Sequence, residues 1–362
     1  MAGFERNKET WTLTHEQTSL GDFLTIIKKP RGKTKMKKKA LTAALAAAFV
    51  LTTAGSVFAA PIVFDGKFEH QYRYNTWDNV KDDDGNLVPD NEDGFKSTVI
   101  LNATTNIGKN VDFFARFAAQ HATIGKDFSD DATSSENTAA IDQFGFVFKD
   151  TNGFSYKLGR QDASVGSTAI FYNTSPYLGK YMFADGITVT GKSGVTDLKV
   201  IALKEDRKLS DNENKLFALS GSYSPAKNWT LGGTLAKYDY KKSSIKDTNH
   251  WALNAGYDQG KASYFAEYGK SNADTENSAY GIGVSYSPDA KNTFYAINYK
   301  IETNADMNNW TDYESGWKGM YYGYNYKYNK DTTVKLFLRD MKGVQDSSEK
   351  NTSFRTTVSI KF

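Results

Sequence analysis

The chain has 362 residues, with 45 Lys and Arg against 42 Asp and Glu, 22 Tyr, 23 Phe, 6 Pro and no Cys. The missing cysteine excludes disulfides and thiolate metal sites, and the charge balance lacks the basic footprint of a nucleic-acid binder. Dense aromatics in a chain with few prolines suit a barrel whose strands alternate apolar outer and polar inner residues.

Residues 1–35 are polar and without clear periodicity, so they are expected to be a non-structural upstream extension, either a start-site misassignment with Met36 as the true start or an unusually long n-region. From Met36 the chain reads "MKKKALTAALAAAFVLTTAGSVFAAP". Lys37, Lys38 and Lys39 form a basic start, Ala40 to Val57 an apolar stretch, and Val57 and Ala59 the small residues of a signal-peptidase site. Residues 36–59 are therefore expected to be a secretory signal peptide rather than a transmembrane helix. Residues 1–59 hold ten basic and four acidic residues, which leaves 35 basic against 38 acidic in residues 60–362. After the signal no apolar run approaches the roughly 18 residues of a spanning helix.

Period-two alternation then fills the chain. It begins at "FDGKFEHQYRY", where Phe64, Phe68, Tyr72 and Tyr74 oppose Asp65, Lys67, Glu69 and Arg73. Four similar segments follow, "FKSTVILNATTNI", "VDFFARFAAQH", "DQFGFVFKD" and "FSYKLGRQ". After a non-repetitive stretch the pattern resumes at "ITVTGK" and continues to "TSFRTTVSIKF", giving sixteen predicted strands. Connectors alternate as regularly. Short ones such as "GKN" at 108–110 and "DTNG" at 150–153 separate longer polar loops at 78–93, 122–137, 303–315 and 342–350. An even number of strands with short turns on one side and long loops on the other predicts an all-β transmembrane antiparallel barrel with periplasmic turns and extracellular loops. Closure would also remove the edges that so many strands otherwise expose.

The stretch "YKLGRQDASVGSTAIFYNTSPYLGKYMFADG", residues 156–186, and the terminal strand ending in Phe362 carry a family likeness. With the strand number and size, they make residues 60–362 resemble the general-diffusion porins of Gram-negative outer membranes. That resemblance implies an inward third loop at about 162–182, a homotrimer, a location in the outer membrane among its lipids, and Phe362 as a signal to the barrel assembly machinery. It also implies Arg160 near the constriction. Strict parity from Phe154, Tyr156 and Leu158 turns Arg160 outward instead, so that placement requires a bulge. The family's inward loop usually carries an acidic cluster. Here Asp162 and Asp185 flank Phe171, Tyr172, Tyr177, Lys180 and Tyr181, so selectivity does not carry over.

Sorting charges by face, with aromatics outward, gives expected lumen bases Lys67, Arg73, Lys96, Arg116, Lys157, Lys261, Lys300, Lys327, Lys335, Arg339 and Arg355. The expected lumen acids are Asp65, Glu69, Asp112, Asp258 and Glu267. Arg73, Lys96, Arg116, Lys157, Arg160, Asp162, Lys180 and Arg339 are the candidate pore-lining and constriction residues. Small residues Ala252, Ala255, Ala262 and Ala266 are read as outward and suited to barrel–barrel packing.

No site for a metal, cofactor or catalysis emerges. An EF-hand starting at Asp82 needs glycine where the chain has Leu87, and the histidines (His15, His70, His121, His250) lack ligand neighbours at helical spacing. The function expected is passive diffusion of small hydrophilic solutes and ions, without cofactor, catalysis or nucleic acid. The rival readings are a substrate-specific channel or barrel adhesin, and a soluble secreted β-protein.

Overall fold

A computed structural model describes residues 60–81, 87, 91–124, 137–205, 213–242, 244–307, 311 and 313–362. The expected upstream extension and signal peptide lie outside the described residues, as does most of the acidic segment 82–90. In chain order the strands are β1 (Val63–Asp78), β2 (Asn91–Gly108), β3 (Val111–Ala122), β4 (Asn137–Lys149), β5 (Ser155–Gln161), β6 (Ser164–Val165) and β7 (Tyr172–Asn173). They continue with β8 (Ala184–Ser193), β9 (Thr196–Glu205), β10 (Lys215–Tyr223), β11 (Trp229–Asp239), β12 (Thr248–Asp258) and β13 (Ala262–Ser271). The last are β14 (Ser278–Tyr286), β15 (Asn292–Ile301), β16 (Trp317–Lys327), β17 (Thr332–Gly343) and β18 (Lys350–Lys361). β6 and β7 pair with each other, and the remaining sixteen form one closed antiparallel barrel in which β1 meets β18.

The two faces of this wall invert the usual globular pattern. Polar Gln120, Asp142, Gln161, Glu267, Asn351 and Ser353 are buried, whereas Phe95, Phe144, Leu235, Leu253, Tyr322 and Phe354 are exposed. Polar side chains fill the inside because alternation sends every second residue there. The outside carries an apolar belt, which an aqueous surface would not sustain as one continuous patch. At the short-turn end, outward rings form part of a girdle: Trp229 lies 4.8 Å from Tyr257, Tyr257 6.4 Å from Tyr264, and Phe294 4.7 Å from Tyr324. Such girdles suit rings that are apolar at one end and polar at the other.

One irregularity redirects side chains. Register shifts between Arg116 and Phe117 where β3 meets β4, and this bulge turns Asp142 inward beside Gln143 although Ile141 and Phe144 both point out. In contrast, β5 pairs with β4 and β8 without any shift.

Closure is completed by the last residue. Gly66 N donates to Phe362 O at 2.9 Å, and Phe362 N donates to Gly66 O at 3.1 Å. A Cβ on Gly66 would lie 2.8 Å from the Phe362 ring, so the glycine makes room for it. Deleting Phe362 removes both hydrogen bonds and the ring cover, a loss of about 2 kcal/mol at the seam. The expected result is a smaller fraction of heat-modifiable barrel on gels at unchanged synthesis. Normal amounts of heat-modifiable mutant would contradict it.

Candidate functional site: the lumen and its crossing segment

The register places Lys67, Arg73, Lys96, Arg116, Lys157, Lys327, Lys335, Arg339 and Arg355 on the lumen face, with Asp65, Glu69, Asp112, Asp258 and Glu267. Lys261 sits in the turn before β13. Three sequence assignments are corrected. Arg160 faces outward, where it pairs across strands with Asp185 and bonds it at 2.5 Å, because no bulge interrupts β5. Lys300 also points outward, opposite Lys318. Ala252 faces the lumen opposite Gly269 and is buried, so it cannot share a face with Ala255. The lumen base Lys199 and the lumen acids Asp142, Asp197 and Glu205 were missed. Alternation in "TDLKVIALKE" does place Asp197, Lys199 and Glu205 on one face; only the bulge reveals Asp142.

Residues 162–183 leave the wall after β5 and run against the lumen side of distant strands. The β6–β7 hairpin pairs Val165 with Tyr172. Its turn reaches Glu267 on β13, whose carboxylate accepts Ser167 N and Thr168 N at 2.7 Å each and the Thr168 hydroxyl at 2.6 Å. Gly166, at φ 92, lets this carboxylate approach: a Cβ there would lie 3.0 Å from Glu267 Oε1. Beside it the Phe171 ring lies 5.0 Å from the His250 ring.

A second carboxylate holds the next section. Glu205 accepts the Tyr172 and Tyr238 hydroxyls at 2.8 Å each and Asn214 Nδ2 at 3.3 Å. The return leg meets the bulge, where Asp142 forms a two-pronged bond with Arg116 at 2.8 Å and accepts Gly179 N at 3.0 Å. Arg116 also donates to Tyr177 O at 3.3 Å and lies 4.6 Å over the Phe183 ring. The Arg116 guanidinium is thus occupied by Asp142 and the crossing segment. Lys180 opens a 3-10 turn, Lys180–Met182, on this leg.

At the root, Lys157 bonds Asp162 at 3.1 Å and the Ser175 hydroxyl donates to the same carboxylate at 3.0 Å. Burial pushes the Asp162 carboxyl toward its neutral form, but the charge and hydrogen bond of Lys157, the Ser175 bond and the nearby Arg116 outweigh it. They hold Asp162 below the usual carboxylate range. Lys199 reaches Ser164 O at 2.9 Å.

The connection between β15 and β16, read from sequence as an outer polar loop, also turns inward at its described residues. Met307 N donates to Phe171 O at 2.9 Å, and Tyr313 stacks on Tyr299 at 4.9 Å.

The wall of β1, β17 and β18 carries the basic side chains. Lys335 and Lys67 share Glu69 at 3.1 and 2.8 Å. Arg339 pairs with Glu314 and donates to Asn351 at 2.8 Å. Between these levels Arg73 stands opposite Arg355. Arg355 donates to Ser353 Oγ at 3.2 Å and lies 5.1 Å over the Phe337 ring; among the described residues no carboxylate pairs with it.

No family model matches the chain, and no curated protein matches it. Solved structures do. A triple mutant of the Rhodopseudomonas blastica porin aligns at 15% identity and TM-score 0.54, covering 83% of this chain and all of that one. A mutant of the same porin with five substitutions aligns at 16% identity and TM-score 0.54 over the same shares. A structure titled "Asymmetric conductivity of engineered proteins" aligns at 15% identity and TM-score 0.55, again covering 83% of this chain and all of that one. At these identities the likeness is one of fold, and the fold is the sixteen-stranded barrel of the general-porin type.

The Glu267 clamp generates a prediction about the crossing segment. Glu267→Gln keeps the size but replaces charge-assisted bonds with neutral ones and supplies one acceptor oxygen instead of two, weakening docking by about 2–4 kcal/mol. The expected readout is faster limited proteolysis within residues 162–183 of the folded barrel, with heat-modifiable mobility unchanged. Proteolysis indistinguishable from wild type would refute the clamp.

Proposed function

We propose that this chain is an outer-membrane porin, a water-filled channel for passive diffusion of small hydrophilic solutes and ions, exported by its signal peptide. The observation that carries the reading is a closed wall, apolar outside and polar inside, crossed by a segment that three lumen carboxylates fasten. A sixteen-strand lumen is too wide for wall side chains to fill, so it holds water unless plugged. The crossing segment narrows it, and the basic wall of β1, β17 and β18 lines the passage beside it. On this reading Arg73, Lys96, Lys157, Asp162 and Arg339 line or flank the constriction, and Lys180 belongs to the segment that forms it.

Phe362, at the seam, is proposed as the signal read by the assembly machinery. Homotrimer formation is proposed through the outward face of β4, β5 and β8 rather than through the alanines of β12 and β13. Its support is the Arg160–Asp185 pair. Arg160 lies five residues beyond the start of β5, about 13 Å up the barrel axis at usual rise and tilt, and thus near the middle of an apolar band about 25 Å tall. Arg160 is largely covered by its own chain, whereas Asp185 is half-exposed, and a charged side chain left facing lipid there is destabilising, a cost that protein cover removes. Cross-linking of detergent-extracted protein is expected to give trimers. Arg160→Glu, which opposes two carboxylates, is expected to lower the trimer fraction while leaving a heat-modifiable barrel. Monomer alone from the wild type would remove the proposal.

Selectivity follows from the unequal use of lumen charge. Glu205, Glu267 and Asp142 bind the crossing segment, whereas Arg355 has no carboxylate partner among the described residues and stands opposite Arg73. Charge at a narrow passage with low-dielectric walls acts on ions more strongly than screened charge in an open vestibule. Reversal potentials across a KCl gradient are therefore expected to indicate a weak anion preference that fades as salt rises. Arg355→Glu is expected to move it toward cations. A clear cation preference in the wild type would show that acidic groups set the field.

A further inference from the structure

On the outward face at the long-loop end, cross-strand register aligns four lysines. Lys300 on β15 stands opposite Lys318 on β16, Lys318 opposite Lys342 on β17, and Lys342 opposite Lys350 on β18. Like charges directly opposite one another in a sheet are destabilising, and here three such pairs run consecutively. The row is sparsely neutralised by the protein. Glu302 bonds Lys300 at 2.8 Å, while Lys318, Lys342 and Lys350 form no ion pair among the described residues. Asp340 lies two residues along β17 from Lys342, and Asp78 stands opposite Lys350, yet neither carboxylate reaches a lysine within ion-pair distance.

Elsewhere on the same rim the protein supplies its own counter-charges. Lys204 stands opposite Lys215, but Glu213 takes Lys204 at 2.7 Å and Lys241 at 3.3 Å. Hydrogen bonds from those two lysines hold Glu213 below the usual carboxylate range. Lys237 is likewise met by Asp239 at 2.5 Å and Asp247 at 3.7 Å. Among the described residues, Lys215 and Lys270 also lack an ion pair but stand singly, whereas lysines without an ion pair stand directly opposite one another on β16, β17 and β18.

Directly beneath that row lies an apolar one. Tyr322, Leu338 and Phe354 stand opposite each other four residues further from the long loops, all outward and exposed. Four residues along tilted strands is about 10 Å along the barrel axis. The surface is thus cationic at headgroup level and apolar at acyl level, on the same strands.

We propose that the Lys300–Lys318–Lys342–Lys350 row is a docking site for a lipid bearing more than one phosphate, in the leaflet on the long-loop side. Its phosphates neutralise the lysines, and its acyl chains cover Tyr322, Leu338 and Phe354. A soluble polyanion satisfies the lysines but leaves the apolar row uncovered, so the matched pair of rows favours a lipid. The proposal rests on the reading of the barrel as membrane-spanning.

The test uses the full barrel in phosphatidylcholine nanodiscs doped with bisphosphorylated lipid A, with fully dephosphorylated lipid A or phosphatidylglycerol as comparison lipids and inositol hexakisphosphate as the soluble polyanion. Lys318→Gln/Lys342→Gln/Lys350→Gln is expected to weaken binding of bisphosphorylated lipid A by on the order of tenfold to a hundredfold, at unchanged heat-modifiable mobility. Lys204→Gln/Lys237→Gln/Lys241→Gln, which removes lysines with protein counter-charges, is expected to leave it within about twofold of wild type. If the triple variant fails to fold, Lys342→Gln alone supplies the comparison, with a smaller loss expected. Equal binding by wild type and ladder variant overturns the proposal. So does equal loss in the control variant, equal affinity for dephosphorylated lipid or phosphatidylglycerol, or inositol hexakisphosphate binding as tightly as the lipid. Failure of the wild type to enter nanodiscs counts against the membrane reading; entry and conductance without lysine-dependent lipid binding counts against the row alone.

Discussion

Closure of the hydrogen-bonded wall is the constraint on which the other features depend. A strand edge facing hydrocarbon would strand backbone donors and acceptors without partners at several kcal/mol each, so β1 must find β18. Once the ring closes, alternation assigns every side chain to the lumen or the exterior, and a residue cannot change sides without a bulge. The interior then becomes a polar compartment of fixed circumference, within which Arg, Lys, Asp and Glu find one another across strands far apart in sequence.

Within that compartment, carboxylates take two roles according to their partners. Glu69 answers two lysines of the wall. Glu267 and Glu205 are buried and receive backbone amides and hydroxyls, while Asp142 serves both kinds of partner through Arg116 and Gly179 N. Buried carboxylates that accept several hydrogen bonds keep their charge satisfied without an ion pair. They thereby fasten the crossing segment to the wall.

The sixteen strands and their faces were legible because period-two patterning is local and is repeated in each element. That locality fails at one bulge, whereas aromatics on both faces of β15 left Lys300 ambiguous and Ala252 was placed against its own strand's parity. Asp142 sits at a bulge that "DQFGFVFKD" does not announce, since strict alternation would place it with Phe144 on the outside. Arg160 was drawn inward by resemblance, although its own strand parity pointed outward, and Asp185 meets it there. The alignment of Lys300 with Lys318, Lys342 and Lys350 comes from pairing across four strands, which no single segment encodes. The partners of the crossing segment were least legible, because Ser167 and Thr168 bond a residue about a hundred positions away. The inward turn of the β15–β16 connection depends equally on Phe171 being in place to receive Met307.

The attachments of the crossing segment have a mechanical consequence. It is tied to the wall at β3 and β4 through Arg116 and Asp142, at β9 through Glu205, and at β13 through Glu267. In the barrel order the outermost anchors, β3 and β13, lie across the ring from each other, so the segment acts as an internal strut. Flattening the cross-section toward an ellipse would stretch one tie while compressing another. Lateral pressure from surrounding molecules is thereby resisted from inside, and the bore keeps its shape by bracing rather than by wall stiffness alone.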